Sequence, residues 1–205
     1  GRETFILPRN APECVGKARC CFGCPSGAKQ STDRAFLPDA VSQGAALFTK
    51  TRAMEIAEKG SGVEVLVQSP EGRRVLRARH LVIAAGALST PDLIRSNRLG
   101  DRWREAGDQL KVHPAAKVFA LMPEPIEHGG VAQGIGYRPP ELPRITCEGI
   151  HTPASTAALA LPTSGSRHRW WMERYDRLAS FGLMVRDRST GSVRGSGPLR
   201  RVSYS

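Results

Sequence analysis

Apolar and polar residues partly alternate over three short stretches in the first half of the chain. These stretches are residues 53–56, 63–67 and 74–78. Alternation with a period of two is the spacing of a strand with one buried face. Gly60-Ser61-Gly62 and Ser69-Pro70-Glu71-Gly72 separate the stretches, and such residues form tight turns. The pattern therefore predicts a small antiparallel meander. A further strand is predicted just before it, at residues 46–49.

A nearly continuous apolar run, residues 80–86, follows the meander. A run of this kind predicts a strand that is buried on both faces of a parallel sheet. Ser89 or Thr90 can then cap a helix, and Pro91 suits its first position. Small residues at the strand end would let a ligand approach the backbone, and the helix would present free N–H groups to it. This arrangement is typical of a nucleotide or flavin site.

The remaining elements are predicted from weaker patterns. They are an ordered loop over residues 1–27, a helix from 31 to 44, strands at 112–121 and 180–187, a loop at 138–143, and a helix or strand at 155–160. Trp170 and Trp171 are interpreted as a core anchor with one exposed neighbour. The fold class is α/β (α+β in its entirety). A boundary near residue 115 divides the chain into residues 1–114 and 115–205.

Composition and charge narrow the function classes. Aromatic residues make up 6% of the chain, whereas it has 21 Gly and 15 Pro, which argues against a helical bundle. The net charge is +11, but the Arg residues are scattered, so a nucleic-acid-binding domain is only a distant rival interpretation. No segment approaches the roughly 18 consecutive apolar residues of a membrane span.

The turn after the apolar run carries a family motif. Gly86-Ala87, Thr90-Pro91 and Leu93-Ile94 resemble the second signature of the glucose-methanol-choline (GMC) oxidoreductases. Asn97-Arg98 replaces the usual Ser-Gly pair of that signature, while Leu99 and Gly100 keep its register.

Two further stretches match the family in the same order. Residues 20–33 resemble a Cys-rich stretch of its bacterial branch, near the long-chain alcohol oxidases and cholesterol-oxidase-like members. Residues 107–114 are similar to the family's Gly-x-x-Leu-x-x-His segment. Together the matches cover roughly residues 14 to 114 and, more loosely, the tail.

The resemblance implies an FAD-dependent enzyme that oxidises the CH–OH group of an alcohol or sterol-like donor by hydride transfer to the flavin. Residues 1–114 would be part of a Rossmann-like FAD domain, and residues 115–205 the start of a sheet-based substrate domain. By position, Ala53 would meet the adenine through its backbone. Ala84, Ala85, Gly86 and Thr90 would complete the cofactor-binding set.

The same resemblance implies that essential parts lie outside this sequence. The family's Gly-x-Gly-x-x-Gly should precede it, and the catalytic His pair should follow it. No catalytic residue is therefore predicted here, and the chain is expected to be an internal fragment that is inactive without the remainder of the enzyme. The alcohol is the expected partner, with no nucleic acid and no membrane span, and the electron acceptor is left open.

The cysteines support a competing interpretation. Cys14, Cys20, Cys21 and Cys24 lie within eleven residues and supply enough thiolates for a zinc ion or an iron–sulfur cluster. Such a centre would make the chain a metal or electron-transfer module of a flavin dehydrogenase. Free or paired structural cysteines are the alternative. Their clustering does not resemble the disulfide framework of a small secreted domain and favours a reducing compartment such as the cytoplasm.

Overall fold

The computed structural model describes residues 3–127 and 129–204, and the side chain of Cys21 lies outside that description. The strands are β1 (Phe5–Ile6), β2 (Arg52–Lys59), β3 (Gly62–Ser69), β4 (Gly72–Ala78), β5 (Ala115–Leu121), β6 (Ile135–Tyr137), β7 (Ile145–Gly149), β8 (Leu178–Val185), β9 (Gly191–Arg194) and β10 (Arg201–Tyr204). The α-helices are α1 (Thr32–Ala35), α2 (Leu37–Ser42), α3 (Gly86–Asn97), α4 (Ala154–Ala160) and α5 (Gly165–Met172). The result is a mixed α/β chain with antiparallel sheets and few helices.

The chain forms two compact units that are interleaved in sequence. The first unit contains Gly1–Ala45 and His113–Asp187, and the second contains Ala46–Val112 and Arg188–Ser205. One change of unit falls at residue 113, close to the predicted boundary. The assignment of residues 1–114 and 115–205 to an FAD domain and a substrate domain stays a prediction.

The first unit is built on a five-stranded antiparallel sheet of order β1-β6-β7-β8-β5. Strands β5 and β8 confirm the two strands predicted in this region. Residues 138–143 form the predicted loop. Residues 155–160, predicted as a helix or a strand, form most of helix α4. A small core of Ala157, Leu161 and Leu178 is covered by Trp171, while Trp170 stays exposed, as the anchor interpretation predicted.

The predicted helix over residues 31–44 is divided in two. Helix α1 ends at Ala35 and α2 begins at Leu37, with Pro38 in its first turn. Proline is well tolerated in the first turn of a helix, whereas in the interior it removes a backbone hydrogen bond and introduces a clash. The proline therefore starts a second helix instead of lying within one.

The second unit contains the predicted meander. Strands β2, β3 and β4 pair in sequence order, and β3 is the central strand. A register shift between Ala53 and Glu55 makes a bulge at the start of β2. Residues 46–49 do not form the predicted strand. They precede the bulge, and β2 begins only at Arg52.

The apolar run at residues 80–86 is a correction to the sequence prediction. Residues 80–84 have no regular secondary structure, and the side chain of Val82 is 87% exposed. A parallel strand needs neighbours on both sides to pair its backbone groups. Among the described residues, no strand pairs with this run, and the side chains of Leu81 and Val82 remain exposed.

Candidate functional site

A depression beside the amino-terminal half of α3 brings the end of the apolar run together with β2. It has a volume of about 600 Å³ and belongs entirely to the second unit. Strand β2 contributes residues 52–54, and α3 with the residue before it contributes Ala85, Ser89, Asp92, Leu93 and Ser96. Ser196, Gly197 and Arg200 complete the lining. The site is thus assembled from three separate stretches of sequence.

Two of the five predicted cofactor residues line this depression, and the other three do not. Ala53 and Ala85 both line it, although 32 positions separate them in the sequence. Ala84 and Gly86 flank Ala85 and are exposed. Thr90 is half-buried on α3 and is not part of the lining. The assignment of all five to FAD stays a prediction.

Helix α3 begins earlier than predicted, at Gly86 instead of near Ser89 or Thr90. Its N-cap is Ala85, which makes no side-chain cap, and Pro91 lies inside the helix. Gly86 has φ +82°, a left-handed conformation that glycine adopts without steric cost. This residue turns the chain into the helix before the hydroxyl residues are reached. The first N–H groups of α3 are therefore left uncapped.

These features fit a flavin nucleotide in three respects. Apart from the neighbouring residues and the backbone of α3 itself, no atom lies within 4 Å of the place where a Cβ on Gly86 would stand, so the helix start is open to a ligand. Uncapped N–H groups at the start of a helix attract negative charge and hydrogen-bond acceptors. The small side chains of Ala53 and Ala85 leave the adjoining backbone accessible.

A charged network that sequence reasoning missed holds one wall of the depression. Asp92 accepts hydrogen bonds from Arg95 Nη2 at 3.0 Å and from Arg200 Nη2 at 2.6 Å. Arg200 Nε also donates to Asp92, at 3.1 Å, and its Nη2 reaches Ser89 Oγ at 3.4 Å. Arg95 in turn donates to the backbone oxygen of Val193 at 2.8 Å. The network joins α3 to the segment from β9 onward.

Only part of this network was visible in the sequence. Asp92 and Arg95 are three residues apart in a predicted helix, a spacing that favours an ion pair. Arg200 is 108 residues from Asp92, and no local pattern connects the two.

Asn97 and Arg98, which replace the Ser-Gly pair of the family signature, have defined structural roles. Asn97 Oδ1 accepts a hydrogen bond from the backbone N–H of Ile56 at 2.8 Å, and its Nδ2 donates to Leu93 O at 2.8 Å. Asn97 thus ties α3 to β2 just after the bulge. Arg98 caps the helix with φ +53°, a left-handed conformation usually taken by glycine. Arg98 therefore ends α3 at the position where the family signature has glycine.

The cysteine-rich loop lies in the first unit, apart from these residues in sequence. Cys14, Cys20 and Cys24 line one cavity of about 530 Å³ together with Leu7, Val131 and Met184. Among the described residues, no group of three or more His, Cys, Asp or Glu is arranged to hold a metal ion. The side chain of Cys21 lies outside the description, so the four-cysteine metal site stays a prediction.

The surroundings of Cys24 lower the pKa of its thiol. A hydrogen bond with the Ser26 hydroxyl, with Sγ and Oγ 3.5 Å apart, lowers its pKa most. The backbone N–H of Lys29 contributes next, and together they bring the pKa of Cys24 to about 7. The thiolate is thus well populated at neutral pH.

The described histidines differ in their surroundings. His113 is exposed, and His168 Nδ1 lies 3.4 Å from Thr163 Oγ1. His128 lies outside the described residues. No helix of the described chain has the length and apolar character needed to cross a membrane.

Comparison with known proteins shows the class to which this chain belongs. The family model for GMC oxidoreductases matches residues 1–115. The matched region is the family's amino-terminal, Rossmann-like FAD-binding domain. The chain therefore belongs to the GMC oxidoreductase family, as its motifs predicted.

The relatives agree with this assignment. An uncharacterized GMC-type oxidoreductase of Mycobacterium tuberculosis is 34% identical over 198 residues, covering 95% of this chain and 31% of the relative. Another, of Sinorhizobium fredii, is 32% identical over 201 residues, covering 95% of this chain and 39% of the relative. A long-chain-alcohol oxidase of Arabidopsis thaliana is 29% identical over 225 residues, covering 95% and 29%. The chain spans 29–39% of the length of these three relatives.

Proposed function

We propose that this chain forms the middle part of an FAD-dependent oxidoreductase that oxidises the CH–OH group of an alcohol. The observation that carries the proposal is the meeting of Ala53 and Ala85 in one depression of the second unit. These are two of the residues that the family resemblance assigns to the cofactor. The chain's membership of the GMC family supports the same cofactor.

In this proposal, the chain's own residues bind and orient the cofactor. The uncapped N–H groups at the start of α3 would hold an acceptor atom, and the open position at Gly86 admits it. Ala53 and Ala85 would offer backbone groups without obstructing the approach. The network around Asp92 would keep α3 and the 193–200 segment in place.

A bound flavin would accept the hydride that leaves the alcohol carbon. The hydroxyl proton must be removed in the same reaction, and a positioned base accelerates that step. The family resemblance implies that this base belongs to a part of the enzyme other than the present chain. The alcohol as donor class is supported by relatives named long-chain-alcohol oxidases.

The proposal is tested on the purified gene product that contains this chain. Its absorbance should show bound flavin, and mixing it with a primary alcohol in the absence of oxygen should bleach that absorbance. A protein that neither binds FAD nor is reduced by any alcohol of a short-to-long chain series would refute the function.

A pair of variants tests the site itself. Ala53→Leu fills the depression and should weaken FAD binding by at least about tenfold, which corresponds to roughly 1.4 kcal/mol. Ala57→Leu places the same side chain at an exposed position of β2, outside the depression, and should bind FAD as the unmodified protein does. Equal affinities of the two variants would place the cofactor elsewhere.

A further inference from the structure

Glu148 on β7 is the only acidic or basic residue that is buried among those the structure describes. Its exposed fraction is 8%. Glutamate is almost never fully buried in proteins unless it is paired. Removing a carboxylate from water is costly unless hydrogen bonds or an opposite charge compensate for it. The flavin function gives this carboxylate no role.

The protein compensates the Glu148 carboxylate only in part. Gln133 Nε2 donates a hydrogen bond to its Oε2 at 2.9 Å. Within the described part of the chain, this is the only hydrogen bond of the carboxylate, and it forms no ion pair. A carboxylate can accept about four hydrogen bonds. Because no described nitrogen or oxygen atom of a side chain is both enclosed and without a partner, Oε1 remains accessible to a further donor.

The five-stranded sheet offers Glu148 no charged neighbour across its strands. The residues in register with it are Gly136 on β6 and Gly182 on β8. Directly opposed residues project to the same face of a sheet, and glycine has no side chain to pair with the carboxylate. Phe5 and Ile150 occupy the space that a Cβ on Gly136 and on Gly182 would take. The carboxylate is therefore flanked by apolar groups along the sheet.

Glu148 lines the cavity of about 530 Å³ that the cysteine-rich loop forms in the first unit. Most of the lining is apolar and includes Leu7 and Met184. Arg9 and Lys29 also line the cavity, but both are exposed. Water and salt screen exposed charges much more than buried ones. The buried part of the cavity therefore combines apolar walls with one negative charge.

Backbone hydrogen bonds hold the loop side of this cavity against the sheet side. Ala18 N–H donates to Gly130 O at 3.2 Å, and Leu7 N–H donates to Gly134 O at 3.1 Å. These bonds join the loop to the segment that contributes Val131, Ala132 and Gln133 to the lining. The cavity is therefore formed before any ligand enters, and a ligand does not have to order its walls.

We propose that this cavity binds an organic ammonium ion with a short apolar body. The ammonium group would donate to Oε1 of Glu148, and the apolar body would lie against side chains such as Leu7 and Met184. The site is separate from the flavin function and does not rest on it.

Charge and size both favour this class of ligand. A hydrogen bond from an ammonium to a carboxylate is roughly twice as strong as one between neutral groups, and it supplies the positive charge that Glu148 lacks. A metal ion would need several ligand atoms, and no three His, Cys, Asp or Glu of the described chain are arranged to hold one. The cavity volume lies within the range of about 300–1,000 Å³ that is typical of small-molecule sites.

The first test is isothermal titration calorimetry of the purified gene product that contains this chain. Hexylammonium chloride is the probe. Hexanamide, which has the same chain length and N–H donors but no charge, is the comparison. Hexylammonium should bind at least about tenfold more tightly than hexanamide, because only the ammonium neutralises the carboxylate. Equal affinities would overturn the proposal, since the cavity would then not recognise a cation.

Two variants test whether Glu148 is the group that binds the ammonium. Glu148→Gln keeps the size of the side chain and an acceptor for Gln133 but removes the charge. It should weaken the binding of hexylammonium at least about tenfold and change that of hexanamide by less than about twofold. Glu124→Gln is the matched control, because Glu124 is exposed in the same unit and outside the cavity, and it should bind both compounds as the unmodified protein does.

A third measurement locates the ligand without any substitution, so it stays decisive if Glu148→Gln does not fold. Cys20 lines the cavity, whereas Cys147 lies on β7 and outside it. At ten times its Kd, hexylammonium occupies about nine-tenths of its sites. Alkylation of Cys20 by iodoacetamide should then slow by about tenfold, and alkylation of Cys147 should keep its rate.

Two further results would overturn the proposal. Undiminished binding of hexylammonium to Glu148→Gln would assign the ammonium to another group, and an unchanged rate of Cys20 alkylation would place the ligand outside the cavity. Neither probe has a hydroxyl group for the proposed oxidoreductase to oxidise, and neither readout is an activity. A protein that oxidises alcohols but does not bind hexylammonium would therefore refute the ammonium site and leave the proposed function intact.

Discussion

Replacing Asp92 by Asn tests whether the charged network holds the α3 wall of the depression. The Asp92 side chain is 12% exposed and is paired with two guanidinium groups, those of Arg95 and Arg200. Asn keeps the size of the side chain but removes its charge and turns one acceptor into a donor. The positive charges of both guanidinium groups would then lack a negative partner in a largely desolvated environment.

The magnitude follows from the burial of the network. Breaking a fully buried ion pair costs about 3–5 kcal/mol, while exposed pairs contribute about 0–1 kcal/mol. Arg95 and Arg200 retain 15% and 26% exposure, so we expect a loss of about 2 kcal/mol for Asp92→Asn. For a chain of 205 residues, this corresponds to a fall in Tm of roughly 4–8 °C.

The assay is thermal unfolding followed by circular dichroism, with two comparison variants. Glu71→Gln removes the charge from an exposed pair with Arg74, whose partners are 73% and 62% exposed, and should change the stability by less than about 0.5 kcal/mol. Arg200→Met leaves Asp92 paired with Arg95, so its effect should lie between the other two. If Asp92→Asn unfolds at the same temperature as Glu71→Gln, the network does not stabilise this wall.

Three other predictions concern the end of α3 and the cysteine loop. Arg98→Gly should be about 1 kcal/mol more stable than Arg98→Ala in urea unfolding, because both lose the guanidinium and only glycine relieves the left-handed conformation; an equal stability would contradict this. Asn97→Ala should cost about 1–2 kcal/mol, because it leaves the N–H of Ile56 unpaired, whereas Asn10→Ala, at an exposed site, should cost less than about 0.5 kcal/mol. Alkylation of Cys24 should rise with pH and reach half its maximal rate near pH 7, since the pKa of this thiol is lowered to about 7; a midpoint near the ordinary value of about 8.5 would refute the assignment.

The meander shows how far local sequence information extends. Alternation and the two turns defined β2, β3 and β4 correctly, because a two-residue period and turn-forming residues act within a few positions. The same reasoning failed for residues 80–86. An apolar run indicates that a segment is suited to burial, but it carries no information on whether neighbouring strands are present to bury it.

The start of α3 illustrates a conflict between local signals. Ser89, Thr90 and Pro91 each favour a helix start, yet Gly86 begins the helix three residues before Ser89. Glycine can take the left-handed turn without steric cost, so the chain enters the helix as soon as the apolar run ends. The capping residues are then placed inside the helix, where Ser89 contacts Arg200 instead.

The sequence by itself determined the family, the meander, the strands β5 and β8, and the cluster of thiols. Each of these features depends on residues that lie close together along the chain. The tertiary structure alone decided that Ala53 shares a depression with Ala85, that Asp92 pairs with Arg200, and that Cys14, Cys20 and Cys24 line one cavity. These contacts depend on how distant backbone segments pack, and side-chain patterns with periods of two or 3.6 residues describe only the face on which each residue lies.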